Sequence, residues 1–260
     1  MTAIFRNEGR RLRRGSFVLL GLFALLSAMY FSIFPEFARD AEEVADAFPE
    51  AMFDLFGIEA IHTIEGFIAA EIYAFFWVVL LGIYFAYVSA GMIAGEIETR
   101  KMDLTLTNPI SRESVLAQKV AALIVPLAVL NIGVPIIVHI GAIAIGESID
   151  PISLVMVHLL SVPYLLACAG IGIALSVSFD KKRTAHSTAL GLVFVLWLIE
   201  AASNLDESIE WIGYLTPARY YDPTDILVNQ EFAFFDAAVA LLMFLVLFLI
   251  ATSIFTRRDI

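Results

Sequence analysis

Four polar side chains that could do chemistry lie inside long apolar runs: Asn131, His139, His158 and Glu200. Ionisable groups in such places are costly and often mark a path or a proton site. His139 and His158 flank a short break, Gly146–Ser153, so a tight hairpin would set the two rings at similar depth. Two imidazoles could share a metal ion or a proton. No third ligand is evident, and a neutral histidine bonded to backbone is the ordinary reading of each. Glu200 either snorkels toward the nearer surface or lines a path, and Asn131 suits a hydrogen bond between helices. The other concentration of charge is the polar stretch 95–119, with Glu96, Glu98, Arg100, Lys101, Arg112 and Lys119. Phosphate-loop, zinc-protease and serine-hydrolase signatures are absent from the sequence. No catalytic residue and no metal-ligand set is therefore assigned.

The elements that would position these residues are membrane helices. About 60% of the 260 residues are hydrophobic and only 17% are charged, and mean hydropathy is +0.85. A soluble globule of this size leaves roughly a third of its surface exposed and cannot hide so much apolar area. The composition equally excludes disorder, and a single cysteine, Cys168, excludes a disulfide scaffold. A helix crosses the hydrocarbon core with about 20 apolar residues. Six stretches qualify: about 16–34, 72–94, 120–145, 154–179, 185–203 and 236–255. The sequence thus predicts an all-α membrane protein with six transmembrane helices, organised as one domain over 1–260. Five arginines precede the first stretch, but its length and the lack of a small-residue cleavage site argue for a retained span rather than a signal peptide.

Charge sets the orientation. With the N-terminus inside, the inner segments carry 14 of the 16 lysines and arginines, and only Arg39 and Arg219 fall outside. Both termini are expected in the cytoplasm. Deleting the weak fifth span would send Arg257 and Arg258 outside, so parity supports it. The acids sort the other way, with ten between Pro35 and Glu71 and six more in 204–235. An outer face of this kind is either a solvated acidic surface suited to high salt or one that attracts a cationic cargo.

Residues 2–14 have Ile4, Phe5 and Leu12 on one side and five arginines on the other, with Glu8 misplaced on the apolar side. That pattern predicts an N-terminal amphipathic helix lying in the interface. Phe37, Ala41, Val44, Ala45 and Phe48 share a stripe, which predicts a separate outer helix over 36–48 ending at Pro49. Phe53, Leu55, Phe56 and Ile58 are expected to pack on the membrane ends. The outer segment 204–235, with Trp211, Tyr214, Tyr220 and Tyr221, reads as surface-lying or re-entrant and needs cover from other spans. On the fourth span two ridges of small residues recur every fourth position, Cys168-Gly172-Ser176 and Gly170-Ala174-Ser178, which suits close helix packing. Asn108 followed by Pro109 predicts a capped helix start running into the third span, so that force on 96–112 would move that span.

The segment Ala94-Gly95-Glu96-Ile97-Glu98, a Leu-rich stretch with Leu104 and Leu106, then Pro109-Ile110-Ser111-Arg112 and Lys119 resembles the signature of ABC-2 type transporter permeases. The likeness extends to Leu215-Thr216-Pro217 and to Arg257-Arg258-Asp259, and it covers essentially the whole chain. It departs at Lys101-Met102, where the family usually has Gly-Thr. The resemblance implies the membrane subunit of an ABC exporter, one half of a homo- or heterodimeric permease in the plasma membrane. It implies cytosolic ABC ATPase subunits as partners, which would bring ATP and Mg; the chain itself is expected to hold no cofactor and to bind no nucleic acid. Glu96, Glu98, Arg100, Leu104, Leu106, Pro109, Ser111, Arg112 and Lys119 would form the ATPase-coupling segment. Asn131, His139, His158 and Glu200 would be polar residues of the translocation path. Two other readings stay open: a membrane-embedded enzyme or metal-handling protein using His139, His158 or Glu200, and a non-transporting scaffold.

Overall fold

The computed structural model describes residues 3–46, 59–205 and 208–259. Six helices are long and apolar enough to cross a membrane, and the described residues contain no strand. They are α1 (Ala3–Asp46), α2 (Ile64–Glu98), α4 (Arg112–Ala144), α5 (Pro151–Ser178), α6 (Lys182–Ser203) and α7 (Phe234–Arg257). A short helix, α3 (Lys101–Leu106), lies between α2 and α4. Each expected span falls within one helix to within a residue.

Local chemistry explains several starts. Thr63 caps α2 by accepting from Gly66 N at 3.1 Å, and Asp150 caps α5 by accepting from Ser153 N at 2.7 Å. Pro151 then occupies the first turn of α5, where its missing N–H costs nothing. Within α2 the stretch Ala69–Leu81 is wound as a π-helix. Gly91–Ile93 forms a looser turn before Ala94–Glu98 resumes.

The N-terminal part differs from expectation in two ways. Residues 3–14 are not a separate surface helix but the first turns of a 44-residue α1. Gly15 is the one weak helix former at the junction, and a single glycine costs only about 1 kcal/mol. The arginines Arg6, Arg10, Arg11, Arg13 and Arg14 are exposed, while Glu8, Gly9 and Leu12 are buried against the bundle. At the other end, α1 continues through Pro35 to Asp46 instead of restarting as a second helix. Phe34 and Phe37, on either side of the proline, both pack on Phe67, at ring-centroid separations of 5.2 and 5.0 Å. That shared contact holds the chain on one axis despite the hydrogen bond Pro35 cannot donate. Phe48, Pro49, Phe53, Leu55, Phe56 and Ile58 lie outside the described residues.

Helices α5 and α2 form the centre. In their most apolar windows 67% and 61% of residues are buried, against 17% for α7 and 22% each for α1 and α6. Both small-residue ridges of α5 are used inside the chain. Gly172 sits on α2 so closely that a Cβ would lie 2.1 Å from Ala86 O and 2.2 Å from Ser89 Oγ. Ser89 Oγ donates to Ala169 O at 2.9 Å, and Ser176 Oγ accepts from Ile93 N and Ala94 N at 2.9 and 3.1 Å. On the other ridge, Gly170 faces Leu247 and Phe244 of α7.

Of the segment 204–235, the part 216–227 is largely covered, as a polar backbone at depth requires, while Trp211, Tyr214, Leu215, Phe234 and Phe235 are exposed. It contains helical turns at Glu210–Gly213, Ala218–Tyr220 and Asp225–Asn229. Thr216, Tyr221, Thr224, Ile226 and Leu227 are buried. The Tyr221 hydroxyl donates to Val157 O of α5 at 2.9 Å, and its ring stacks on Tyr164.

Candidate functional site

The polar stretch 95–119 comprises the last turn of α2, the short helix α3 and the start of α4, joined by turns. Arg100 adopts the left-handed conformation (φ 54°) and reverses the chain between α2 and α3. Met102 of α3 is fully buried and Leu106 packs on the core, so α3 is held from beneath. Leu104 points away and is 70% exposed, beside the exposed Lys101 and Asp103. The expected cap at Asn108 is displaced. Asn108 Nδ2 instead donates to Leu104 O and Thr105 O at 3.2 and 3.3 Å and closes α3. Ser111 caps α4 by accepting from Ser114 N at 3.2 Å, and Arg112 is the first helical residue. Pro109 and Ser111 are exposed.

The remaining residues of this stretch tie it to the bundle. Lys119 is 2% exposed; its Nζ lies 2.6 Å from Glu96 Oε1 and 3.6 Å from Glu8 Oε2. Glu8 also pairs with Arg11. A buried ammonium survives only with such partners, so one lysine joins α1, α2 and α4. Glu98 Oε2 accepts from Lys182 N at 3.0 Å at the start of α6. Arg112 donates to the carbonyls of Phe255 (3.0 Å), Thr256 (3.5 Å) and Arg258 at the end of α7. These contacts gather the start of α1, the end of α2, the start of α4, the start of α6 and the end of α7 at one end of the bundle.

Glu8 and Arg258 are the participants that sequence reasoning missed. The signal for Glu8 was present: an acid on the apolar side of an arginine-rich helix needs a buried cation, and Lys119 supplies one.

The intramembrane polar residues separate. Asn131 Oδ1 accepts from Ser161 Oγ at 3.1 Å, linking α4 to α5 as expected for an interhelical bond. His139 is exposed, whereas His158 is buried. His158 Nδ1 lies 2.9 Å from Leu154 O and Nε2 lies 3.4 Å from the Tyr73 hydroxyl. Its ring meets Trp77 edge-on at 4.8 Å. The two histidines are thus in different environments. Among the described residues no group of three or more His, Cys, Asp or Glu side chains is placed to hold a metal ion.

Glu200 lies at the opposite end of the bundle from Lys119. It accepts from Thr216 Oγ1 at 2.8 Å and sits 3.6 Å from Arg219. Arg219 also pairs with Glu210 at 2.5 Å and covers the Tyr214 ring. Beside this cluster is a cavity of about 570 Å³ between α2, α6 and the segment 218–236. Glu71, Glu200, Asp222, Asp225, Glu231 and Asp236 line it, with Arg219 the basic residue in its wall. Asp222 is exposed on the cavity side, although the protein packed around it desolvates its carboxyl. Burial, with the Asp225 charge adding, raises its carboxyl to about 6.

Six helices long and apolar enough to span a membrane, with a short helix carrying an exposed Leu104 at one end of the bundle and a polar cavity at the other, are the architecture of a polytopic membrane protein. The family of ABC-2 family transporter proteins matches the chain over residues 2–260, and the chain belongs to it. It is therefore a membrane permease component of an ABC transporter, and the family is not itself catalytic. Comparison with curated proteins and with solved structures finds no match.

Proposed function

We propose that this chain is one half of a dimeric exporter permease driven by separate cytosolic ABC ATPases. The basic end, with both termini, faces the cytoplasm of a plasma membrane, in keeping with 14 of 16 basic residues on that side. The second permease subunit is another copy or a similar chain, and ATP and Mg act on the ATPase partner. The observation that carries the reading is α3: Leu104 stands 70% exposed on a helix whose opposite face, at Met102, is fully buried. An apolar side chain held out on an anchored lever suits a hydrophobic notch on a partner. When the ATPases close, the push on α3 passes through Ser111 into α4 and through Lys119 into α1 and α2. The cavity beside Glu200 then serves as the outer part of the path, and its acids favour cationic or zwitterionic cargo.

The test is Leu104→Glu. Tagged wild-type chain extracted from its own cells should bring down an ABC ATPase. The variant should insert and melt like wild type but lose that ATPase at least about tenfold, as expected for a contact near 1.5–3 kcal/mol. Equal recovery of the ATPase with both chains would show that α3 is not the contact.

A further inference from the structure

Each α-helix ends with carbonyls that have no partner within the helix, and positive charge is favoured there. Two neighbouring helix ends at the basic end are served by two guanidinium groups in series. Arg112 grips the end of α7 through the carbonyls of Phe255, Thr256 and Arg258, and lies over the Phe255 ring at 5.9 Å. Arg258 in turn reaches the end of α5. It donates to Val177 O, to Phe179 O at 3.4 Å and to the Asp180 carboxylate. The partners are mostly main-chain atoms, so each contact holds a helix by its backbone. Arg112 is the first residue of α4, one peptide beyond the Ser111 cap. Phe255 beneath it is fully buried, as is Val177.

We infer that Arg112 and Arg258 form a two-arginine relay that carries displacement of the segment 95–111 to α7 and, through Arg258, to the central helix α5. This makes Arg258 a positioning residue for coupling, and it rests on the coupling role proposed for α3. Without the relay, a push on α4 would reach α5 through the Asn131–Ser161 bond further along the helices, or by way of Lys119 and α2; the relay adds a route that runs through the end of α7. With it, the ends of three spans move as one body. The guanidinium fork matters because Arg258 addresses two carbonyls and a carboxylate at once, which a lysine ammonium cannot span with the same geometry. Arg257, adjacent and exposed, supplies a control of equal charge.

The experiment uses hydrogen exchange on the full chain in lipid nanodiscs. Arg112→Gln should speed exchange at 253–258 and also at 178–183, which Arg112 does not touch, by about fivefold or more, the change one lost hydrogen bond produces. Arg258→Gln should speed 178–183 and leave 112–118 as in wild type. Arg258→Lys should fall between, and Arg257→Gln should change neither. An Arg112→Gln effect confined to 253–258 would overturn the relay, whether or not an ATPase binds.

The second arm uses the complex with its ATPase. ATP should alter exchange at both 112–118 and 178–183 in wild type and in Arg257→Gln. In Arg258→Gln it should alter only 112–118. Persistence of the ATP response at 178–183 in that variant would reduce Arg258 to a structural contact and sink the inference. Failure of the chain to bind any ATPase would instead refute the proposed function, leaving the first arm to judge the relay.

Discussion

Replacing Lys119 with Met should be among the most damaging single changes in this chain. Lys119 is 2% exposed and holds Glu96 at 2.6 Å and Glu8 at 3.6 Å. Methionine nearly matches the volume, so packing is little disturbed and the effect isolates charge. Glu8, with 4% of its side chain exposed, would keep only its contact with Arg11. Glu96, 23% exposed, would lose its one ion-pair partner among the described residues. Removing one partner from a buried ion pair costs about 3–5 kcal/mol. Partial exposure of Glu96 and the help from Arg11 place the expectation at the lower end, about 3 kcal/mol. The assay is reversible unfolding in mixed micelles, comparing Lys119→Met with the triple variant Lys119→Met, Glu8→Gln, Glu96→Gln. The triple variant leaves no buried charge and should recover at least about half of the loss, since uncharged replacements of buried ion pairs are often near neutral. If Lys119→Met lies within about 0.5 kcal/mol of wild type, Lys119 behaves as a surface charge. The three-helix joint would then not exist. A triple variant no better than the single one would also refute the reasoning, because the loss would not stem from unpaired carboxylates.

Gly172→Ala should destabilise by about 1–3 kcal/mol in the same assay, since a Cβ would lie 2.1 Å from the Ala86 carbonyl and backbone cannot step aside cheaply; Gly191→Ala, where nothing lies within 4 Å of the added carbon, serves as the tolerant comparison. The Asp222 carboxyl, raised to about 6 by burial and the Asp225 charge, holds its proton in the folded state over a range where the unfolded chain, near 3.9, releases it. Its contribution to stability therefore falls as pH rises from about 4 to about 6. Asp222→Asn should remove that decline, and thermal unfolding of both chains at pH 4.5 and 7.5 would reveal it; an unchanged pH difference would contradict the placement of Asp222. Cys168 is buried, so an impermeant thiol reagent should leave wild-type cells unlabelled. A cysteine at Glu231 should react in intact cells and one at Lys181 should not; the reverse pattern would invert the topology.

What could be read without coordinates was whatever depends on composition along the chain. Six runs of about 20 apolar residues must become helices in lipid, because no other arrangement satisfies their backbone. The bias of lysine and arginine toward alternate connections divides those connections into two sets, a property of the order of charges alone. The small-residue ridges of α5 follow from a repeat of four, and the stretch 94–119 carried its family resemblance in its residue types. Which partner each residue meets was decided only by the folded chain. Glu8 looked misplaced until Lys119 was found beside it, 111 positions away in sequence and buried with it. Asn108 and Ser111 are both good caps by type, and the geometry of α3 alone spends the asparagine on its own last carbonyls. Arg112 could be placed in the coupling segment by its residue type, but nothing in its neighbourhood in sequence names the carbonyls of Phe255 and Arg258 that it meets. The histidines 139 and 158 shared a depth by count, but the rotation of each helix turned one outward and the other toward Tyr73 and Trp77. Depth is a linear property of the chain, and facing is not: it is set by which helices pack together, and that depends on all of them at once.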